Sequence, residues 1–316
     1  MRIGPLRLLK ETVSEWSTDN ATRLAAALAY YAVFSIAPLL MIAISVAGLA
    51  FGREAAQGEI FRQLDGLVGP AGAAALQEML LNSSRPESGL AASLIGLTLL
   101  LFGASGVTSE LKAALNQIWE VPPPPSGGFA YMVRARFLSI TLVLGVGFVL
   151  MVSLVMSAIV AAMGRYFNER WPGSESLLQG VEIATSFAIV TFMFMLIFRF
   201  VPDAKMAWRD VALGAVVTAG LFTGGKTLIG LYLGKSSFAS VYGAAGSLVI
   251  FLAWVYYSAQ ILFFGAEFTQ VYARARGAKI VPSWAKARAA GVGEKRGAAD
   301  RRRGERRRPV VAVNPS

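Results

Sequence analysis

Residues 24–52 contain no charged side chain, and this apolar run constrains the fold more than any other feature of the sequence. A helix rises 1.5 Å per residue, so about 20 apolar residues cross the hydrocarbon core of a bilayer. The run exceeds that length, and similar runs recur in a chain that is 55% hydrophobic. Soluble domains do not collect apolar residues in such blocks. The sequence therefore predicts an all-α, polytopic membrane protein.

Six segments are predicted to be transmembrane helices, and only the fifth contains a charged residue, Lys226. The first and third are longer than the bilayer requires, which predicts tilting or kinking. Pro38, in the middle of the first, is the predicted kink. The six predicted spans are Leu24–Phe51, Leu90–Thr108, Phe137–Met163, Ile183–Phe198, Val211–Leu233 and Ala244–Ala266.

The distribution of lysine and arginine predicts the orientation of these spans. With the N-terminus inside, the inner segments hold 23 of these residues and the outer loops hold 6. Cytoplasmic loops carry the excess of positive charge. We therefore expect both termini in the cytoplasm and the protein in a bacterial inner membrane. Topology and attraction to anionic lipids then explain the net charge of +11 without nucleic acid.

Two segments near the N-terminus are predicted to be helical outside the spans. Residues 1–23 are amphipathic, with basic residues among apolar ones, and this favours an interfacial helix on the inner leaflet. The outer loop, residues 52–89, is predicted to form a periplasmic helical hairpin of Glu54–Leu67 and Ala71–Leu81, broken at Gly69-Pro70. This hairpin is a candidate surface for envelope-protein partners.

The apolar periodicity ends near residue 277. The sequence beyond it is rich in arginine and small residues, which is typical of a disordered basic tail. The predicted organisation is a six-span membrane domain, residues 1–276, followed by a tail, residues 277–316. Aromatic residues are not interleaved with the arginines of the tail, as they would be on a single-strand nucleic-acid surface, so no nucleic-acid partner is expected.

The composition removes most kinds of catalytic site. The chain has no histidine and no cysteine, so the usual general base, the thiolate nucleophile and the commonest zinc ligands are absent. No phosphate-binding loop motif occurs either. We therefore predict no enzyme activity, no metal site and no cofactor.

Lys226 is the foremost candidate for a functional residue. An ammonium group near the centre of a span costs about 2.5–3.5 kcal/mol to insert. Small and polar residues, including Thr223, share its helix face. Lys226 is therefore predicted to face the bundle, either as a contact for an anionic group or as a structural hydrogen-bond donor. The candidate binding residues are Lys226, Thr223, Tyr31, Ser35, Tyr257 and Gln260.

Other motifs are predicted to be structural. The pairs Gly220/Gly224 and Gly230/Gly234 have the spacing that allows close helix packing in membranes. Arg23 and Glu267 lie at the same predicted depth, at the cytoplasmic ends of the first and sixth spans, and are candidates for an ion pair.

Five ordered segments resemble the YihY/BrkB family of bacterial inner-membrane proteins, over roughly residues 10–275. The resemblance implies six spans with both termini inside. It also brings the family's older label, ribonuclease BN, which the absence of histidine and of a carboxylate cluster argues against. The segments are DNATRLAAALAYYAVFSIAPLL (19–40), GVTSELKAALNQIWEV (106–121), FVPDAKMAWRDVALGAVV (200–217), GKTLIGLYLG (225–234) and VYGAAGSLVIFLAWVYYSAQILFFGAE (241–267). The motif positions include Arg23, Pro38, Gly243, Gly246 and Glu267.

Members of this family look like transporters or lipid-handling proteins. The expected function is therefore transport or handling of an anionic lipid or amphiphile, with membrane lipids as partners. The alternative is a non-transporting envelope scaffold that acts through the 52–89 hairpin. A membrane-bound hydrolase or nuclease is the least favoured class.

Overall fold

The computed structural model describes residues 4–83, 106–122, 175–235, 246–278, 280–282 and 284. Most of these residues are helical, and two short strands, β1 Ala204–Lys205 and β2 Val281–Pro282, form an antiparallel pair. The helices are α1 Pro5–Thr18, α2 Ala21–Phe51, α3 Arg53–Ser83, α4 at residues 106–118, α5 Glu175–Phe200, α6 Trp208–Lys235 and α7 Gly246–Ala275.

Three of the described helices are long and apolar enough to cross a membrane. They are α5 over Ile183–Phe200, α6 over Trp208–Tyr232 and α7 over Gly246–Ala275. They correspond to the predicted fourth, fifth and sixth spans. The first predicted span lies within α2, whose first half, Ala21–Ile36, is a shorter apolar stretch.

The second and third predicted spans lie almost wholly outside the described residues. The count of six spans, the side of each terminus and the interfacial position of α1 therefore stay predictions. α2 runs through Pro38 as a single helix, so the proline does not interrupt it.

A left-handed residue separates α1 from α2. Asn20 has φ 54° and ψ 44°, a conformation that asparagine adopts more readily than most residues. The turn allows α1 to fold back against α7, with Thr12 fully buried and Trp16 packed on the core. Leu6, by contrast, is 83% exposed.

The predicted break at Gly69-Pro70 is wrong. α3 is one helix from Arg53 to Ser83 with Pro70 inside it, so the described part of the 52–89 loop is not a hairpin of two helices. α3 packs against α2 and α7 through Leu76 and Leu80. Proline removes one backbone hydrogen bond, and packing against neighbouring helices offsets that loss.

α7 is the central helix of the described bundle. Its first half packs with Leu40 and Ile44 of α2 through Phe251, and its second half packs with the start of α2. α2 and α7 are therefore antiparallel. α6 also runs antiparallel to α7, so the starts of α2 and α6 lie at the same end of the bundle as the end of α7.

The same end of the bundle is held together by loop contacts. β1, in the α5–α6 connection, pairs with β2, which follows α7. Trp284 Nε1 donates a hydrogen bond to Pro122 O at 3.2 Å. The first residues of the predicted tail therefore contact the bundle. Residues 285–316 lie outside the described residues, and the predicted domain boundary stays a prediction.

Candidate functional site

α6 and α7 cross through two reciprocal glycine–threonine contacts. A Cβ added at Gly214 would overlap Thr269 Oγ1, and one added at Gly265 would overlap Thr218 Oγ1. Each threonine lies four residues after the glycine of its own helix, and its hydroxyl donates to that glycine's carbonyl at 2.7 Å. Both hydroxyls are therefore satisfied locally while the helices approach closely.

The predicted glycine pairs do not make this crossing. Within the described part of the chain, a Cβ added at Gly220, Gly224 or Gly230 would meet no atom within 4 Å. α7 instead approaches α6 at Gly214 and Gly225. At the contact with α7 other residues of α6 are used, and close packing of another helix at the predicted glycine pairs stays a prediction.

Lys226 follows Gly225, the residue at which α6 contacts Tyr257 of α7. A Cβ at the adjacent Gly225 would lie 2.5 Å from Tyr257 Oη. Lys226 and Thr223 are half-buried, and Lys226 already interacts with another group of the protein. Gly230, one turn further on, leaves open space among the described residues. The residue before Lys226 thus contacts the Tyr257 hydroxyl, and we call the region of Gly225, Lys226, Gly230 and Tyr257 the Lys226 face.

The α2 candidates occupy a different region. The Tyr31 ring lies against Gly106 of α4, where an added Cβ would overlap the ring. Ser35 is buried and donates to Ala32 O of its own helix at 3.1 Å. Its hydroxyl therefore has a local partner, and the structure shows no direct contact of Ser35 with the Lys226 face.

The remaining predicted positions are structural or lie outside the described residues. Gln260 is half-buried on α7, and Gly246 is the buried first residue of that helix. Gly243 lies outside the described residues, and nothing is described of the Pro38 side chain.

The predicted ion pair between Arg23 and Glu267 does not form. Arg23 is exposed, while Glu267 is fully buried and neither of its carboxyl oxygens has a hydrogen-bond partner among the described residues. Equal depth in two neighbouring helices does not ensure that two side chains face each other, because rotation about each helix axis decides their directions.

Glu267 instead belongs to a cluster that we call the polar junction, where α1, the end of α4 and the end of α7 meet. Trp119 Nε1 donates to Ala266 O at 3.1 Å, and Gln117 Nε2 donates to Asp19 O at 2.9 Å. The polar junction comprises Glu15, Asp19, Trp119, Glu120, Glu267, Gln270 and Arg274.

Arg274 supplies positive charge to the polar junction. Its Nη1 lies 3.2 Å from Glu15 Oε1, and its Nη2 contacts Glu120 Oε1. Burial is the largest cause that raises the pKa of Asp19, and the nearby charges of Glu15 and Glu120 raise it further. Glu267 and Arg274 act in the opposite direction on this pKa. The arginine thus ties α1 and α4 to α7, while Asp19 lies in a negatively charged environment.

A second charged group joins α4 to the α5–α6 connection. Lys112 Nζ lies 2.9 Å from Asp203 Oδ2, and the backbone N–H of Asp203 donates to Asn116 Oδ1 at 2.8 Å. These contacts link residues that are about 90 positions apart. The two sides of this contact lie in two different segments of the family resemblance, 106–121 and 200–217. Nothing in the sequence indicated that they would pair.

The part of the chain that the structure describes contains no set of side chains arranged to bind a metal ion. No group of three or more carboxylate, histidine or cysteine side chains there has metal-binding geometry.

The fold and composition define a helical membrane protein, and the family model described as Virulence factor BrkB matches residues 12–290. The chain belongs to this family, as the resemblance predicted. The UPF0761 membrane protein of Pseudomonas aeruginosa is 32% identical over 255 residues, which cover 79% of this chain and 58% of the relative. The UPF0761 membrane protein of Alkalilimnicola ehrlichii is 30% identical over 279 residues, covering 87% and 58%. The chain thus spans little more than half the length of these relatives. No solved structure matches it.

Proposed function

We propose that this protein resides in the bacterial inner membrane and binds an anionic lipid or amphiphile at the Lys226 face, as part of transporting or handling it. Lys226 carries the proposal: it is a half-buried cation within an apolar stretch of α6 that is long enough to span the bilayer. A charge kept there against its insertion cost calls for an anionic or wet environment. We propose no catalytic role for this site.

The neighbours of Lys226 suit an anionic head group. Tyr257 Oη lies next to Gly225, and hydroxyl groups can donate to phosphate or carboxylate oxygens. The open space at Gly230 gives an amphiphile room to approach α6 without displacing a described side chain.

Lipid binding and movement by the purified protein test the proposal. The probe is a fluorescent phosphatidylglycerol, compared with the zwitterionic phosphatidylcholine analogue, in neutral detergent and in reconstituted vesicles. Lys226→Met removes a charge-assisted contact worth about 1.5–3 kcal/mol, so binding of the anionic probe should weaken roughly 10- to 100-fold. Lys226→Arg should retain part of the binding, and Lys205→Met, at an exposed lysine, should retain all of it.

Two outcomes contradict the proposal. In the first, Lys226→Met binds and moves phosphatidylglycerol like the unaltered protein. In the second, Lys226→Met lowers the thermal midpoint strongly while the protein that remains folded binds the probe normally. The second outcome would make Lys226 a structural residue and favour the scaffold alternative.

A further inference from the structure

Glu267 is a fully buried carboxyl group that accepts no hydrogen bond from the described residues. Its relative exposure is 0%, and neither carboxyl oxygen has a hydrogen-bond donor within the described ranges. Gln270, three residues later on the same helix, is 1% exposed, and its Oε1 also lacks a donor. An ionised carboxylate in such a place is strongly disfavoured unless it is paired. The site therefore offers several acceptor atoms and is short of a donor.

The charged groups around Glu267 come from three elements besides α7. α1 contributes Glu15 and the α1–α2 turn contributes Asp19, while Glu120, in the turn after α4, acts on Asp19 and pairs with Arg274. α7 itself contributes Arg274.

The other helices packed against α7 do not add a cation to this group. The charged residue of α2, Arg23, is exposed. At the start of α6, Asp210 lies 3.8 Å from Arg276. α3 packs near Phe251 and Trp254, more than three turns before Glu267.

The described charges of the polar junction do not balance. Four carboxyl groups, Glu15, Asp19, Glu120 and Glu267, lie around Arg274, which already pairs with Glu15 and Glu120. Asp19 and Glu267 form no ion pair among the described residues, and neither Glu267 oxygen atom accepts a hydrogen bond there. The two carboxyl groups nevertheless lie close enough to interact with each other. Two carboxylates that share one site cannot both ionise freely, and sharing one proton resolves the conflict.

We propose that Asp19 and Glu267 form a proton-binding site, in which one proton held between the two carboxyl groups joins the α1–α2 turn to α7. The proton supplies the donor that the buried oxygen atoms lack. The raised pKa of Asp19, caused mainly by burial, agrees with this arrangement. Loss of the proton leaves two facing carboxylates, which repel each other and weaken the docking of α1.

This site is separate from the Lys226 face and does not depend on lipid binding there. Tyr257 and Glu267 are ten residues apart on α7, which corresponds to about 15 Å along the helix axis. Failure of the lipid experiment therefore leaves the proton site standing, and the reverse also holds.

Two measurements on the full-length purified protein test the proton site. The first is the infrared C=O stretching band of a protonated carboxyl group near neutral pH. The band should be present in the unaltered protein and lost in Glu267→Gln. The second is the thermal midpoint as a function of pH, for the unaltered protein, Glu267→Gln, Asp19→Asn and a control, Glu78→Gln, at an exposed carboxyl of α3.

The sign of the pH dependence follows from proton linkage. The folded protein keeps a proton that the unfolded chain releases above the ordinary carboxyl range, so stability is greatest in acid and falls as pH rises. The folding equilibrium constant should fall by up to tenfold per pH unit for one retained proton. Glu267→Gln and Asp19→Asn should flatten this dependence, and Glu78→Gln should preserve it.

The proposal is overturned if the unaltered protein lacks the protonated carboxyl band near neutral pH. It is also overturned if Glu267→Gln retains the full pH dependence. If Glu267→Gln does not fold, the Asp19→Asn profile and the infrared band of the unaltered protein decide the question.

Discussion

The α6–α7 crossing and the polar junction lie next to each other on α7, yet they handle polar groups in opposite ways. At the crossing, the hydroxyls of Thr218 and Thr269 donate to their own helices, and glycines opposite them allow close packing. At the junction, buried Glu267 accepts no hydrogen bond from the described residues, and Arg274 links two other carboxylates. The crossing is thus fully satisfied and suited to rigid packing, whereas the junction can respond to protonation.

Cysteine labelling tests which side of the membrane each end of the bundle faces, and its expected effect is all-or-none. The chain has no cysteine, so a single introduced one is unique. Lys205→Cys, at the junction end, should react with a membrane-impermeant maleimide only after cells are permeabilised. Glu54→Cys, after the far end of α2, should react in intact cells. Labelling of both from the same side would contradict the predicted orientation.

Glycine substitutions test the close packing at the α6–α7 crossing. Gly265→Ala or Gly214→Ala forces a methyl group against a threonine held by its own helix, which should reduce stability by about 1–3 kcal/mol. Gly220→Ala, on the exposed side of α6, should be neutral or stabilise by up to about 1 kcal/mol. Thermal midpoints in detergent measure the difference.

A second change checks the cause. Thr269→Ala combined with Gly214→Ala should recover part of the lost stability, because it removes the overlapping hydroxyl. Equal midpoints for Gly214→Ala and Gly220→Ala would show that the two helices do not meet at this crossing.

Arg274→Gln tests how much the ion pairs of the polar junction contribute to stability. It removes the pairs to Glu15 and Glu120, both partly exposed, so the expected loss of stability is only about 1 kcal/mol and should shrink with added salt. Arg7→Gln is the matched control, because the Arg7–Glu11 pair is more exposed and should contribute nothing measurable. A salt-independent loss for Arg274→Gln would indicate a packing role instead.

Truncation should have the smallest effects. Removing residues 285–316 should leave the thermal midpoint unchanged, because their sequence is rich in arginine and small residues and offers little apolar surface to bury. Ending the chain at Gly277 also removes the β1–β2 pairing and the Trp284 contact, so a loss of about 1 kcal/mol is expected. A large decrease in thermal midpoint on removing only residues 285–316 would show that the basic tail has a structural role.

Local composition predicted the apolar helices well. The long apolar runs located α2, α5, α6 and α7, because bilayer thickness and backbone hydrogen bonding leave few alternatives. The break at Pro70 was wrong because tertiary packing maintained the helix there. The glycine spacing at Gly220 and Gly224 gave no information on which side of α6 faces α7.

The polar junction could not be predicted for a different reason. Asp19, Glu120 and Glu267 are far apart in the sequence. Whether their side chains meet depends on how the helices next to them are rotated about their axes. The sequence placed Glu267 at the end of a span and suggested Arg23 as its partner. Only the rotation of α2 and the left-handed Asn20 turn bring Asp19 to Glu267 and leave Arg23 exposed.

An experimental structure of the protein in nanodiscs that contain phosphatidylglycerol tests the functional proposal most directly. The account predicts head-group density in contact with Lys226 Nζ and near Tyr257 Oη, beside Gly230. This density should be lost in Lys226→Met under the same conditions. Lys226 Nζ bonded only to groups of the protein, with no lipid density beside it, would contradict the proposal.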